Sequence, residues 1–293
     1  MQRKFLQYMD RAGMNSNHNM IAFVHIEKAA GTTLIHTLRR NFFMRYADVR
    51  PFSPASQGTF QENDLRTILK LNPWLKCFGG HSVRPHVGIR YGRRRIEYIT
   101  VLRDPISRYV SQYQHWIEKK GKKITFRQFL DNQEFDNFQT RKIAGIESAD
   151  QAMEMLSRQF LLCGVMEHFD AFLVLLKHKL KPFVFDPRYE IRNKAIESGR
   201  ADPIIERYEE EIRNRNLEDM RLFAYVRDVL LEKEKQKYGE HFQRDLAVFK
   251  IHNSIFPAPG GKLNIDYLMR KIYYEPLSGI IRRLHKIPAK GSY

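Results

Sequence analysis

Acidic side chains are under-represented in this chain. Its 293 residues carry 33 Asp+Glu against 50 Lys+Arg, a formal charge of +17. Such a balance disfavours cationic partners and suits anionic ones: nucleotide, nucleic acid, acidic glycan or a membrane surface. Cysteine is almost missing. The two present, Cys77 and Cys163, sit among apolar neighbours. They make neither a disulfide framework nor a thiolate metal cluster, and read as buried free thiols of a reducing compartment. No apolar run reaches the roughly 18 residues needed to span a bilayer. Residues 1–19 are polar and charged and have no apolar centre of the secretory type. These absences point to a cytoplasmic protein, of bacterial type, without a transmembrane segment. Internal repeats and low-complexity tracts are also absent.

What is present is enough apolar material for a folded core: 43% hydrophobic and 12% aromatic residues. Residues 21–26, 96–102 and 160–165 are apolar runs of strand length, and 74–78 is a weaker one ending in Gly79-Gly80-His81. Helical periodicity follows each strong run. Thr32 or Thr33 opens a helix with Leu34, Ile35, Leu38 and Phe42 on one stripe. Residues 64–71 predict a short helix. Asp104 caps a helix with Pro105 at its first position, and Phe169, Phe172, Leu173 and Leu176 mark another. Two charged helices fill 203–239, divided near 214–216. Alternating strands and helices predict an α/β fold: a P-loop-like parallel sheet flanked by helices. The expected organisation is a tail at 1–19, a main domain at 20–249 and a basic extension at 250–293.

Two strand-to-helix junctions carry the chemistry. In the first, Lys28 precedes Ala30, Gly31, Thr32 and Thr33. A lysine, a glycine and hydroxyls at a helix start suit a phosphate. It is not a Walker A loop, which needs Gly-Lys followed by Ser or Thr. In the second, Arg103 ends a strand, and Ser107, Arg108 and Ser111 lie along the helix that follows. An arginine and a hydroxyl there could grip a second phosphate. An ordinary capped strand–helix turn would explain either segment alone. Two anion sites on one sheet suggest a ligand with two separated phosphates, such as coenzyme A or 3′-phosphoadenosine 5′-phosphosulfate (PAPS).

Together the two segments resemble the cosubstrate motifs of the carbohydrate sulfotransferases, in the branch holding heparan sulfate 2-O-sulfotransferase and the chondroitin and dermatan enzymes. The first family motif, Phe-x-His-x-Pro-Lys-Thr-Ala-Gly-Thr-Ser/Thr, is matched at Phe23, His25, Lys28, Ala30, Gly31, Thr32 and Thr33. The second, Arg-Asp-Pro-x-x-Arg-x-x-Ser-x-Tyr, is matched throughout by Arg103, Asp104, Pro105, Arg108, Ser111 and Tyr113. Gly80-His81, 137–141, 164–169 and 216–223 resemble further family blocks, so the likeness covers about 20–240. It implies the sulfotransferase fold and PAPS as cosubstrate, with adenosine 3′,5′-bisphosphate as product and no metal. It also implies that Lys28, Ala30, Gly31, Thr32 and Thr33 hold the 5′-phosphosulfate. Arg103 and Ser111 would hold the 3′-phosphate. His81 would be the general base, a role that suits histidine's ordinary pKa of about 6.5. Lys28 would offset charge on the leaving phosphate. Three positions depart from the pattern. Glu27 stands where proline is usual, Ala29 replaces threonine, and Gly79 replaces an additional histidine. A carboxylate beside an anion loop is unfavourable unless it points away or pairs with an arginine.

The stretch after His81 is rich in arginine: Arg84, Arg90, Arg93, Arg94 and Arg95. A solvated loop is one reading. The other makes Arg84, Arg93, Arg94 and Arg95 a wall for an acidic polysaccharide acceptor. Residues 262–290 interleave basic and aromatic side chains, as a packed helix with a basic face or as a peripheral contact with glycan or anionic lipid. Two alternatives remain. A P-loop kinase lacks Gly-Lys-Ser/Thr and a convincing carboxylate for Mg²⁺. A non-enzymatic polyanion binder has the charge but no nucleic-acid-reading motif.

Overall fold

The computed structural model describes residues 20–53, 56–92, 95–190, 202–256, 271–272 and 275–284. Strands β1 (Met20–Val24), β2 (Tyr46–Asp48), β3 (Cys77–Gly80), β4 (Ile96–Leu102) and β5 (Phe160–Val165) form one sheet in the order β2-β3-β1-β4-β5. Every pairing is parallel. The fold is therefore the α/β sheet expected, and it is consistent with the sulfotransferase fold.

Central strand β1 explains the layering. Its side chains alternate across the sheet. Ile21 and Phe23 join a core with Leu34, Leu38 and Phe172, while Met20, Ala22 and Val24 join a second core with Leu65, Ile68 and Phe78. The first core packs helices α1 (Gly31–Phe42) and, later in the chain, the helix Phe169–Lys179 on one face; the second packs α2 (Glu62–Leu71) on the other. A strand covered on both faces is apolar throughout, which is why Met20–Val24 is a continuous run rather than an alternating one; the strand expected over 21–26 starts one residue earlier and ends before His25. A third, mostly aromatic cluster joins α3 (Pro105–Glu118) to α4 (Phe126–Leu130) through Tyr109, Tyr113, Phe126 and Phe129.

The chain continues through α5 (Phe138–Ala144), α6 (Ala149–Gln159) and, after β5, α7 (Phe169–Lys179). Next come α8 (Asp202–Arg215), α9 (Leu217–Tyr225), α10 (Leu231–Tyr238), α11 (Phe242–Ser254) and α12 (Glu275–Leu284). A π-type turn, Val226–Leu230, links α9 to α10. Strands β4 and β5 have the bounds expected from the sequence. Edge strand β2 was not foreseen, because three residues are too few to show a period. The domain boundary expected between 249 and 250 falls inside α11, whose Phe249 is buried in the main core. Helix α12 is packed: Ile281 rests on the second core, and the Arg282 guanidinium lies 5.4 Å from the Phe52 ring. No helix among the described residues is long and apolar enough to cross a membrane.

Strand order sets where a ligand fits. From β1 the chain moves outward to β2 and β3 on one side, then returns past β1 to β4 on the other. The direction of winding changes between β1 and β4. In open α/β sheets the loops leaving such strands diverge at their carboxyl ends and leave a crevice. The segments singled out above leave β1 and β4 there, and His81 follows β3 one strand away.

Candidate active site

The loop after β1 is tightly curled. Lys28 and Ala30 both have left-handed backbone, with φ of 69° and 58°. Non-glycine residues adopt this conformation rarely, and it clusters at functional loops. Helix α1 then starts at Gly31, slightly earlier than expected, and its first turn holds Thr32 and Thr33. The first amides of a helix lack intrahelical acceptors and carry the positive end of its dipole. Thr33 is buried, and Thr32, Lys28 and Ala30 are half-buried. Gly31 is required for a reason other than loop closure. A Cβ there would come within 1.9 Å of His25 Nε2, so the buried His25 ring lies directly on it.

Arg103 joins the two loops. Its Nη1 donates to the Lys28 carbonyl at 3.0 Å. Gln139 on α5 fixes the backbone behind it, accepting from Arg103 N–H at 3.0 Å and donating to its carbonyl at 2.8 Å. Asp104 caps α3 by accepting from Ser107 N–H at 2.8 Å, as expected. Ser111 lies on the same helix, half-buried. Arg108, matched in the second motif, is fully buried and out of reach of a ligand. Its Nη2 donates to the Phe135 carbonyl at 2.9 Å, and its guanidinium lies 4.8 Å from the Phe138 ring.

The later blocks lie behind this frame. Asp219 on α9 accepts from the N–H groups of Gln139 (3.0 Å) and Thr140 (2.7 Å) at the start of α5. Asn137 Oδ1 accepts from Glu218 and Asp219 N–H. Burial pushes the Asp219 carboxyl up, while the Arg108 charge and the two amides pull against that rise. Asp219→Ala would strip two buried amides and remove the carboxylate that most offsets the burial of the Arg108 charge. We expect a loss of about 3–5 kcal/mol, read as a fall in the urea midpoint at unchanged slope. A change below 1 kcal/mol, on the order of a surface substitution, would show that the network carries little of the stability.

His81 projects from the end of β3 with its side chain 55% exposed. It stacks on His25 with ring centroids 3.9 Å apart and an interplanar angle of 25°. Its Nδ1 lies 2.9 Å from Glu27 Oε1. The same carboxylate takes both its oxygens to Lys142 Nζ, at 3.0 and 3.1 Å. Glu27 therefore neither points away nor pairs with an arginine; it bridges a lysine and a histidine. Burial works against the Glu27 charge, but the Lys142 ammonium and the His81 ring outweigh it and hold the carboxyl well below the usual range. Burial pulls Lys142 down to about 8, with Glu27 opposing the fall. Burial first, and then His81, keep His25 well below its ordinary value, so its ring is neutral.

Burial and the nearby Arg103 charge lower the Lys28 ammonium, and burial lowers Arg103. Arg84, half-buried, donates Nη1 to the His81 carbonyl and feels the Glu27 charge. Arg93 and Arg94 lie outside the described residues. Arg95 is corrected: it precedes β4, at the sheet edge opposite Arg103, and donates to the Arg158 carbonyl at 2.6 Å. A strand of that length spans about 20 Å, so Arg95 is not part of a wall beside His81. Sequence reasoning missed Gln139, Lys142 and the partnership of Glu27. Lys142 gave no signal, since a lysine in a short polar helix reads as solvated.

The protein-family model described as the sulfotransferase family matches residues 11–249. The chain belongs to the sulfotransferase family. No curated protein matches it. The match spans both loops, His81, Glu27 and Lys142, so the features of this sulfotransferase's sheet edge all fall within the family domain. Sulfuryl transfer is thus its general chemistry. The geometry brings two cationic loops into contact, with an exposed imidazole one strand over from the first.

Proposed function

We propose that this sulfotransferase moves a sulfuryl group from PAPS to a hydroxyl of an acidic carbohydrate. The observation that carries the reading is the Arg103 hydrogen bond to the Lys28 carbonyl, which seats the two anion-binding loops against each other at one sheet edge. Lys28 and Arg103 fit a twice-phosphorylated nucleotide. Each is a half-buried cation that forms no ion pair among the described residues, and a desolvated cation of this kind is stabilised by an anion. Lys28, Ala30, Gly31, Thr32 and Thr33 would hold the 5′ end, and Arg103 with Ser111 the 3′-phosphate. PAPS, when bound, supplies the activated sulfuryl group. His81 takes the acceptor proton as its oxygen bonds to sulfur. Lys28 places positive charge where the leaving phosphate gains negative charge. Arg84 lies beside the base, while at the end of α3 Glu118 and then Lys119 act on the Lys28 charge in opposite senses. The Arg84 cation beside the base, in a chain of formal charge +17, favours a carboxylate- or sulfate-bearing acceptor.

The test compares ligands by thermal shift. Adenosine 3′,5′-bisphosphate should raise the melting temperature more than 5′-AMP, and ATP·Mg²⁺ should not match it. Arg103→Ala should remove that preference, costing about 1.5–3 kcal/mol of binding. An intact preference in Arg103→Ala would place the 3′-phosphate elsewhere, and stabilisation by ATP·Mg²⁺ alone would favour a kinase. Acidic and neutral oligosaccharides offered with labelled PAPS then test the acceptor class.

A further inference from the structure

We infer that Glu27, held in place by the buried Lys142, is a positioning residue that fixes His81 in the tautomer with hydrogen on Nδ1. The inference rests on the reading of His81 as base only for its catalytic consequence. Its geometric basis is independent of that reading: His81 Nδ1 lies 2.9 Å from Glu27 Oε1, and Lys142 Nζ contacts both Glu27 oxygens at 3.0 and 3.1 Å.

An ionised carboxylate accepts hydrogen bonds and donates none. The ring nitrogen facing it must therefore carry hydrogen. In a neutral imidazole the other nitrogen, Nε2, then has the free lone pair, which is the form able to take a proton from a hydroxyl. Left alone, an exposed imidazole in water favours the opposite tautomer and rotates about its side-chain bonds. Stacking on the neutral His25 ring limits rotation, but stacking does not distinguish the two nitrogens. The carboxylate does.

Lys142 makes the carboxylate tolerable beside an anion-binding loop. Its side chain is only 2% exposed, and its ammonium lies 5.4 Å from the Phe138 ring on its own helix. Glu27 and Lys142 form a pair of zero net charge, so the glutamate adds little repulsion toward a phosphate bound next to it. A glutamate at a position where the resembling motif has proline thereby gains a role: it orients the base, and a lysine from α5 neutralises it. Arg84 and Arg108 add positive charge around the same carboxylate.

The experiment uses the full chain labelled with ¹⁵N histidine, with His81→Ala to assign the His81 ring signals among the 11 histidines. Glu27→Ala alone would leave Lys142 buried without a partner, so a folded double variant, Glu27→Ala with Lys142→Met, removes both charges. Wild type should show the Nδ1–H form of the neutral His81 ring, and the double variant should show predominantly Nε2–H. Turnover should fall about tenfold to a thousandfold, less than the roughly 10²–10⁴ for losing the base itself, with the Michaelis constant for PAPS within about twofold. A wild-type ring already protonated on Nε2, or one unchanged in the double variant, would overturn the inference. The tautomer readout needs no turnover. A changed tautomer together with near-normal turnover in His81→Ala would therefore sink the base assignment while leaving the orienting contact established.

Discussion

Lys28→Ala should lower turnover by about 10²–10³, the scale seen when one preorganised donor to a developing anion is removed. Affinity for adenosine 3′,5′-bisphosphate should fall much less. The reason lies in how the loop is built. The contact that ties the two loops together uses the Lys28 backbone carbonyl, which accepts from Arg103. Alanine keeps that carbonyl and tolerates the left-handed backbone about as well as lysine does, since neither residue is glycine. What is lost is the ammonium, a half-buried charge whose pKa is lowered by burial and then by Arg103. A partly desolvated cation acts on neighbouring charge more strongly than one in bulk water. It therefore matters most when charge grows on the leaving phosphate. Single-turnover rates and a nucleotide titration separate the two effects. Unchanged turnover would remove Lys28 from the chemistry, and an equal loss in rate and affinity would make it a binding residue only.

His81→Ala should lower turnover by about 10²–10⁴, the range for removal of a general base, while nucleotide binding stays within about twofold of wild type. His81 lies beyond β3, one strand from the first of the loops that would hold the phosphates and two from the second, and its side-chain contacts are to Glu27 and His25. His25 is a poor substitute. Its ring is buried, lies on Gly31 and is stacked on one face by Phe23, so its nitrogens have little access to an acceptor. A near-normal rate in His81→Ala would nevertheless move the role to His25, the only other imidazole in the stack. The decisive comparison is His25→Ala, which should lose stability with a smaller change in the rate of the folded fraction.

Much of the frame was legible from local pattern. The runs 96–102 and 160–165 appear as β4 and β5 with unchanged bounds, because a strand covered on both faces is mostly apolar; β4 breaks the run at half-buried Glu97 and at Thr100, whose hydroxyl donates to the Val24 carbonyl at 2.8 Å. Asp104 and Pro105 marked the start of α3 because capping is a local property of the chain. The three-residue strand β2 escaped detection, since it owes its conformation to pairing with β3. Arg95 was misplaced for a related reason. Residues close in sequence to His81 were assumed close in space, yet the chain between them crosses from one end of the sheet to the other before β4 begins.

The sequence by itself determined the parallel α/β sheet, the buried thiols, the positions of the two strand-to-helix loops and the histidine after β3. All of these depend on neighbours within a few residues. Tertiary structure alone decided which of those groups meet. It placed Arg103 on the Lys28 carbonyl, removed Arg108 into the core and set Arg95 at the far edge. It also resolved Glu27. In the sequence this residue is an unfavourable charge beside a phosphate loop. In the fold it is neutralised by Lys142, 115 positions away, and bound to His81 across two adjacent strands. The effect of a buried charge depends on its counter-charge, and only the folded chain brings the two together.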